Sequence, residues 1–233
     1  MRMKSVGIIG GIGPESTVEY YRSVIASYQQ QNRDGSYPSI LINSIDLNRM
    51  IHLVESNDLE GVIEYVVGEV EKLARAGADF GALSSNTPHI VFEEISRQVP
   101  IPLISIVETT CEAAKALGLK RVGLFGTRFT MQGLFYPQVF SRAGISVAVP
   151  DEDEQTFIHK HYMSELVKGI FLPKTRERLL EIAHRLKERE HIEALILGGT
   201  ELPLILRDVT DSDVRFLDTT QIHVSAIVAQ LLS

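Results

Sequence analysis

The stretch Val6-Gly7-Ile8-Ile9-Gly10-Gly11-Ile12-Gly13-Pro14-Glu15-Ser16-Thr17 restricts what this chain can fold into more than any other. Its first apolar and small residues read as a buried strand. Glycines follow, and Pro14 opens a helix, because a proline at the first helical position loses no hydrogen bond that was available there. Glycine lets the backbone turn sharply and approach a neighbour closely. A helix that starts just past a strand end aims its first N–H groups outward, which makes Gly11 and Gly13 candidate contacts for a carboxylate or a phosphate. The alternative reading is a tight strand–helix turn without a ligand. Two other glycine loops are excluded. The third glycine of the dinucleotide fingerprint is missing, as is a strand-end acid about 20 residues on. No Gly-Lys-Ser/Thr occurs, so this is not a nucleotide P-loop.

The stretch comes twice. Val122-Gly123-Leu124-Phe125-Gly126-Thr127-Arg128-Phe129-Thr130 echoes Val6 to Gly10 at a separation of 116 residues. Ala82-Leu83-Ser84-Ser85-Asn86-Thr87-Pro88-His89 echoes the run from Leu195 through Gly199, Thr200 and Glu201 to Pro203, with Gly199 placed 114 residues after Ser85. Separations this similar predict a duplicated α/β architecture: two pseudo-symmetric domains, each with a parallel sheet, and a cleft between them. The first domain is expected over 1–105 with 215–233, the second over 106–214. Ligands of open parallel sheets bind beyond the carboxyl ends of the strands. Two facing copies would bring Ser85 and Gly199 to opposite sides of the cleft.

Composition narrows the partners. A formal net charge of −7 argues against nucleic acid. The single cysteine, Cys111, excludes a disulfide framework and a thiolate metal cluster. No apolar run reaches the roughly 18 residues of a membrane span. Met1-Arg2-Met3-Lys4-Ser5 runs straight into a strand without a secretory pattern, which points to the cytoplasm. His159-Lys160-His161 has no third ligand nearby and reads as surface, so no metal is expected.

Along the chain, strands are expected at Ser39–Ser44, Phe80–Leu83, Val122–Phe125, Ser146–Val149, Ala194–Leu197 and Val214–Leu217. Helices are expected at 16–28, 58–76, 90–98, 109–117, 134–141, 156–169, 175–190 and 220–232. Asn32 to Gly35 reads as a turn. Asp151 to Glu154 stands out as an acidic stretch.

Taken together, the glycine stretch, Ser85-Asn86-Thr87-Pro88-His89, Leu124 to Met131, Gly198-Gly199-Thr200-Glu201 and Leu217 to His223 resemble the aspartate/glutamate racemase family. The resemblance covers nearly the whole chain in the right order. It implies cofactor-free chemistry at an amino-acid α-carbon, a final helix that packs back on the first domain, and a homodimer. It also implies substrate contacts from Thr17, Asn86, Thr87, Thr127, Thr130 and Thr200, although hydroxyls at such places also cap helices. Arg49 resembles the family's clamp for a side-chain carboxylate, with Lys168 as a second cation; both could instead be solvated helix residues.

The chain departs from the family where it matters most. Ser85 and Gly199 occupy the places of the two family cysteines. A thiolate is a tunable base, whereas a hydroxyl needs an activator and glycine offers nothing. Glu201, which in the family orients the second cysteine, and His89 are the remaining titratable candidates. Cys111 reads as a small buried residue. Three readings follow: an impaired racemase acting on an acidic amino acid or related small carboxylate, a non-catalytic binding homologue, or a lyase or decarboxylase using Glu201 or His89.

Overall fold

Strands that are buried on both faces must be apolar along their whole length, and the glycine stretch leads into one of these. A computed structural model describes residues 3–32, 34–206 and 214–233. Arg33 of the expected turn, and Met1 and Arg2 of the start, lie outside the described residues. The chain divides into two compact units, Met1–Ile106 with His223–Ser233, and Val107–Ile222.

Unit 1 runs β1 (Ser5–Gly10), α1 (Pro14–Gln31), β2 (Ser39–Ser44), α2 (Leu47–Glu55), α3 (Leu59–Arg75), β3 (Phe80–Leu83), a 3₁₀ turn (Thr87–Val91), α4 (Phe92–Gln98) and β4 (Leu103–Ile104). Then α5 (Ile106–Ala116) begins. Unit 2 contributes β5 (Arg121–Gly126), α6 (Arg128–Gln132), α7 (Phe135–Arg142), β6 (Ser146–Ala148), α8 (Glu152–Ser164), a 3₁₀ turn (Leu166–Lys168), α9 (Pro173–Glu190), β7 (Ala194–Gly198), α10 (Leu202–Leu206) and β8 (Phe216–Asp218). Finally, α11 (Thr219–Leu232) carries the chain from unit 2 into unit 1.

The two sheets are copies. Their strand orders are β2-β1-β3-β4 and β6-β5-β7-β8, and every pairing is parallel. Val6 pairs with Phe80 in the first sheet, and Val122 with Ala194 in the second. The two separations found in the sequence are therefore the separations of equivalent strands. In unit 1, Val6, Ile8 and Phe80 pack with Tyr20 and Val24 of α1 and with Ile227 of α11. In unit 2, Phe125, Leu195 and Leu197 pack with Ile158 and Tyr162 of α8 and with Leu186 of α9.

Several boundaries differ from expectation for local reasons. The acidic stretch is the start of α8, not a lead-in to it. Asp151 accepts from the Glu154 N–H at 2.9 Å, and the Glu154 carboxylate accepts from the Asp151 N–H at 3.2 Å. This reciprocal cap starts the helix at Glu152. Asp46 likewise caps α2, accepting from Asn48 N–H at 2.8 Å. The segment expected as one helix from Ile90 is a 3₁₀ turn followed by α4, and the threonine-bearing loop after β5 contains α6.

Glycine is required at Gly11 for an internal reason. Its φ is +84°, and a Cβ there would collide with the Ile45 carbonyl oxygen and sit 2.7 Å from the Ile45 nitrogen. The Ile45 N–H meanwhile donates to the Gly10 oxygen at 2.9 Å. The close approach is thus to β2's exit. Gly35 has a similar φ, +78°, but open space around its Cα. Gly11→Ala is therefore expected to destabilise well beyond the roughly 1–2 kcal/mol of a left-handed alanine, while Gly35→Ala costs only about that amount. Thermal unfolding of the two variants checks the difference.

Candidate functional site

The carboxyl ends of the strands gather most of the polar residues singled out in the sequence, in two sets, one per unit. In unit 1 the exit of β1 is held by side chains from the first turn of α1. Thr17 Oγ1 accepts from the Gly11 N–H at 2.8 Å and lies 3.2 Å from the Gly13 carbonyl, to which it donates. Ser16, fully buried, donates to the Gly13 carbonyl at 2.8 Å and lies 3.3 Å from the Ser84 carbonyl. Ser84 donates to the Ile9 carbonyl at 2.9 Å. These bonds fix the loop that presents Ser85, Asn86 and Thr87. Ser85 and Asn86 are buried and Thr87 is half-buried. Gly13 is the residue before α1, and no side chain caps that helix.

His89 closes the back of this loop. Its ring stacks on Phe92 at 4.6 Å, and Nε2 accepts from the Ile106 N–H at 3.3 Å. The ring proton then sits on Nδ1, which is turned toward the Ser85 and Asn86 carbonyls but makes no hydrogen bond of good geometry. A second buried histidine, His223, stands on the same segment. It donates from Nε2 to the Ile104 carbonyl at 3.0 Å, and its Nδ1 accepts from Tyr20 Oη at 2.8 Å. Burial holds both rings neutral, lowering His89 to about 3, helped by the nearby His223, and His223 to about 4.

In unit 2, Thr127 caps α6. Its Oγ1 accepts from the Thr130 N–H at 3.3 Å and meets Thr130 Oγ1 at 3.1 Å. At the end of β7, Thr200 donates to Glu201 Oε2 at 3.1 Å, and Tyr162 Oη donates to the same oxygen. Burial, and then the adjacent Glu201 charge, push the Tyr162 phenol well above its ordinary range. The Tyr162 ring also covers Gly199. A Cβ at position 199 would collide with Cε2 and lie 3.0 Å from both Cζ and Oη. Gly199 is therefore glycine because Tyr162 fills the space, not because its backbone is strained.

The proposed cations are both exposed. Arg49 is an exposed α2 residue whose guanidinium lies over the Tyr65 ring, 4.1 Å from its centroid. Lys168 is exposed at the end of the 3₁₀ turn after α8. His159 and His161, expected at the surface, are half-buried and bonded, to the Arg128 N–H at 3.2 Å and to Glu165 at 2.7 Å. Cys111 is 3% exposed, and burial raises its thiol. Among the described residues no three His, Cys, Asp or Glu side chains gather as a metal site. No helix among them is long and apolar enough to cross a membrane. Sequence reasoning missed Tyr162, Tyr20 and Ser16, and the fixed hydrogen bonds of His223. All sit on helices where their spacing reads as ordinary core.

Two copies of a four-stranded parallel sheet, with hydroxyl and amide side chains at the strand ends of the first and hydroxyls with a carboxylate at those of the second, define a duplicated α/β protein of the racemase type. The sequence matches the Asp/Glu/Hydantoin racemase family over residues 9–227, and the chain belongs to that family. It is 27% identical over 233 residues to the broad specificity amino-acid racemase RacX of Bacillus subtilis (strain 168), covering 98% of each chain. Its structure matches that of an aspartate racemase homologue from Pyrococcus horikoshii OT3 with a TM-score of 0.84 and 33% identity, over 99% of this chain and 100% of that one. It matches the Picrophilus torridus aspartate racemase with a TM-score of 0.78 over 98% and 94% of the two chains, a likeness of fold at 23% identity.

The buried histidines predict an acid response. Unfolded, each would take a proton near its ordinary value of 6.5; folded, they resist down to about 3 and about 4. The unfolded state therefore binds more protons below pH 6.5, and stability falls as pH drops from there toward 4. Each ring contributes at most about 1.4 kcal/mol per pH unit. Melting temperature measured from pH 7 to 4.5 should fall accordingly, and His89→Asn should remove its share of the slope.

Proposed function

We propose that this protein acts without a cofactor on the α-carbon of an acidic amino acid or a related small carboxylate, as a racemase-family isomerase impaired by Ser85 and Gly199 in the places of the family cysteines. The paired strand-end sets carry the reading: hydroxyl side chains gather at the ends of parallel strands in each unit, joined by the Asn86 amide in unit 1, in a family of α-carbon enzymes. In this reading Thr17, Asn86 and Thr87 of unit 1, and Thr127, Thr130 and Thr200 of unit 2, contact the substrate's carboxylate and amine. Gly13 opens α1, whose dipole favours an anion, and Gly11 shapes the loop that leads into it. Arg49 and Lys168 favour a second carboxylate. Ser85 binds rather than abstracts, since a hydroxyl without an adjacent base is a poor proton acceptor. The reading extends to a cytoplasmic homodimer that leaves nucleic acid alone, in keeping with the net charge of −7.

A second reading, a carboxylate-binding homologue without catalysis, is favoured by the missing thiols at Ser85 and Gly199. Loss of α-proton signal by NMR in deuterated water, across L- and D-amino acids, decides between them. Exchange of any member supports the enzyme. Saturable binding without exchange selects the binding protein.

Two expectations accompany the reading. Arg49→Ala should weaken binding of aspartate or glutamate by about 1.5 kcal/mol or more, the worth of a charge-assisted hydrogen bond, which calorimetric titration checks. Any turnover should survive thiol alkylation, because Cys111 is buried and its thiol resists ionisation. An activity assay before and after iodoacetamide treatment tests this.

A further inference from the structure

Tyr162 has no task in the reading above, yet it is the side chain closest to the place of a family thiol. Its ring stands where a Cβ of residue 199 would be, and its hydroxyl oxygen lies 3.0 Å from that point. The hydroxyl donates to Glu201 Oε2, which Thr200 also engages. The phenol is 6% exposed and the carboxylate 1%. The Thr200 hydroxyl and the Glu201 N–H also face this oxygen, so an incoming proton takes the place of one of these bonds on a phenolic lone pair. The polar atom covering Gly199, at the end of β7, is therefore the phenolic oxygen, backed by a carboxylate.

Phenolate itself is not the base. Burial and the Glu201 charge both disfavour ionised Tyr162. The carboxylate can still act through the phenol: as the oxygen of Tyr162 takes up one proton, it can release its own to Glu201 and stay neutral throughout.

We propose that Tyr162 and Glu201 form a proton relay that takes the α-proton of a small amino acid in unit 2, in place of a thiol at position 199. This rests on the reading of the chain as an α-carbon enzyme. In the step, the substrate's Cα–H bond breaks and its proton binds Tyr162 Oη. The phenolic proton passes to Glu201 Oε2. The electron pair stays on the α-carbon, delocalised into the substrate's carboxylate. Reversal delivers a proton to the face it left. If the relay exchanges with solvent first, deuterium enters with configuration retained.

The place of the other family cysteine, Ser85, holds no second base. Ser85 is a neutral hydroxyl, and His89, the titratable side chain nearest to it in sequence, is committed to Ile106 and stacked on Phe92. Exchange should therefore outrun inversion.

The test uses the full chain in deuterated water with both enantiomers of aspartate, glutamate, asparagine, glutamine and alanine. NMR follows α-proton loss, and chiral chromatography follows configuration. The parent is expected to exchange one enantiomer of its substrate with retention. Tyr162→Phe keeps the ring over Gly199 and should lower the exchange rate by about 10²–10⁴-fold, with KM changed less than about threefold. Glu201→Gln should do the same, and a cooperative melt shows that each variant is folded. The retention result needs no variant, so it stands even if both fail to fold. Folded Tyr162→Phe protein exchanging within about threefold of the parent rate overturns the relay and leaves the α-carbon reading intact. So does a parent that inverts as fast as it exchanges. A parent that exchanges nothing in the panel overturns both.

Discussion

Each sheet depends on a contact between a glycine and a threonine at the end of its first strand. A Cβ on Gly10 would lie 2.9 Å from Thr17 Oγ1, and one on Gly126 would lie 2.8 Å from Thr130 Cβ. In both units the helix after the strand can seat its first turn against the strand exit only because the strand ends without a side chain. In unit 1, the hydroxyl brought in by this contact takes the Gly11 N–H and sets the shape of the glycine loop. Ser16, one residue earlier, ties that loop to the exit of β3 through Ser84. Removing one such buried partner leaves a polar group unsatisfied, at about 1–3 kcal/mol each. The candidate substrate-binding hydroxyls thus belong to the frame of the sheet as well as to its surface.

Duplication has not kept the two sets chemically alike. Unit 1 backs its strand ends with neutral imidazoles, His89 and His223, both engaged with the Ile104–Ile106 segment. Unit 2 backs its own with a buried carboxylate that two hydroxyls hold. One half therefore presents hydrogen-bonding groups without an accessible base, and the other a carboxylate and a phenol.

What could be read from the sequence follows physical range. Residue period and local punctuation gave the strands other than the two-residue β4 and most helices, because the runs at Val6, Phe80, Val122 and Ala194 are apolar throughout and end in glycine or serine. The repeat was legible because equivalent strands kept nearly constant separations. Helix α2 was missed altogether and α8 was expected to start later, since Asp46 and Asp151 are caps only once their side chains are seen accepting from N–H groups. Tyr162 was invisible for a different reason. It lies 37 residues before Gly199, and only the packing of α8 on β7 in the unit 2 core brings the two together. The glycine at 11 was legible as a requirement, but its cause, the backbone of Ile45, comes from the neighbouring strand.

The seating of Tyr162 over Gly199 also has a historical side. A side chain at 199 and this phenol exclude one another where the ring now lies, so the two positions can change only together or in a fixed order. The return path is harder. A lineage that regained a side chain at 199 first would pass through a collision, and one that first trimmed the ring would leave a void costing about 3–5 kcal/mol, a large part of a typical domain's stability. Selection for thiol chemistry would meet a barrier in both directions of approach. Glycine at 199 is held in place for as long as the Tyr162 ring stays where it lies.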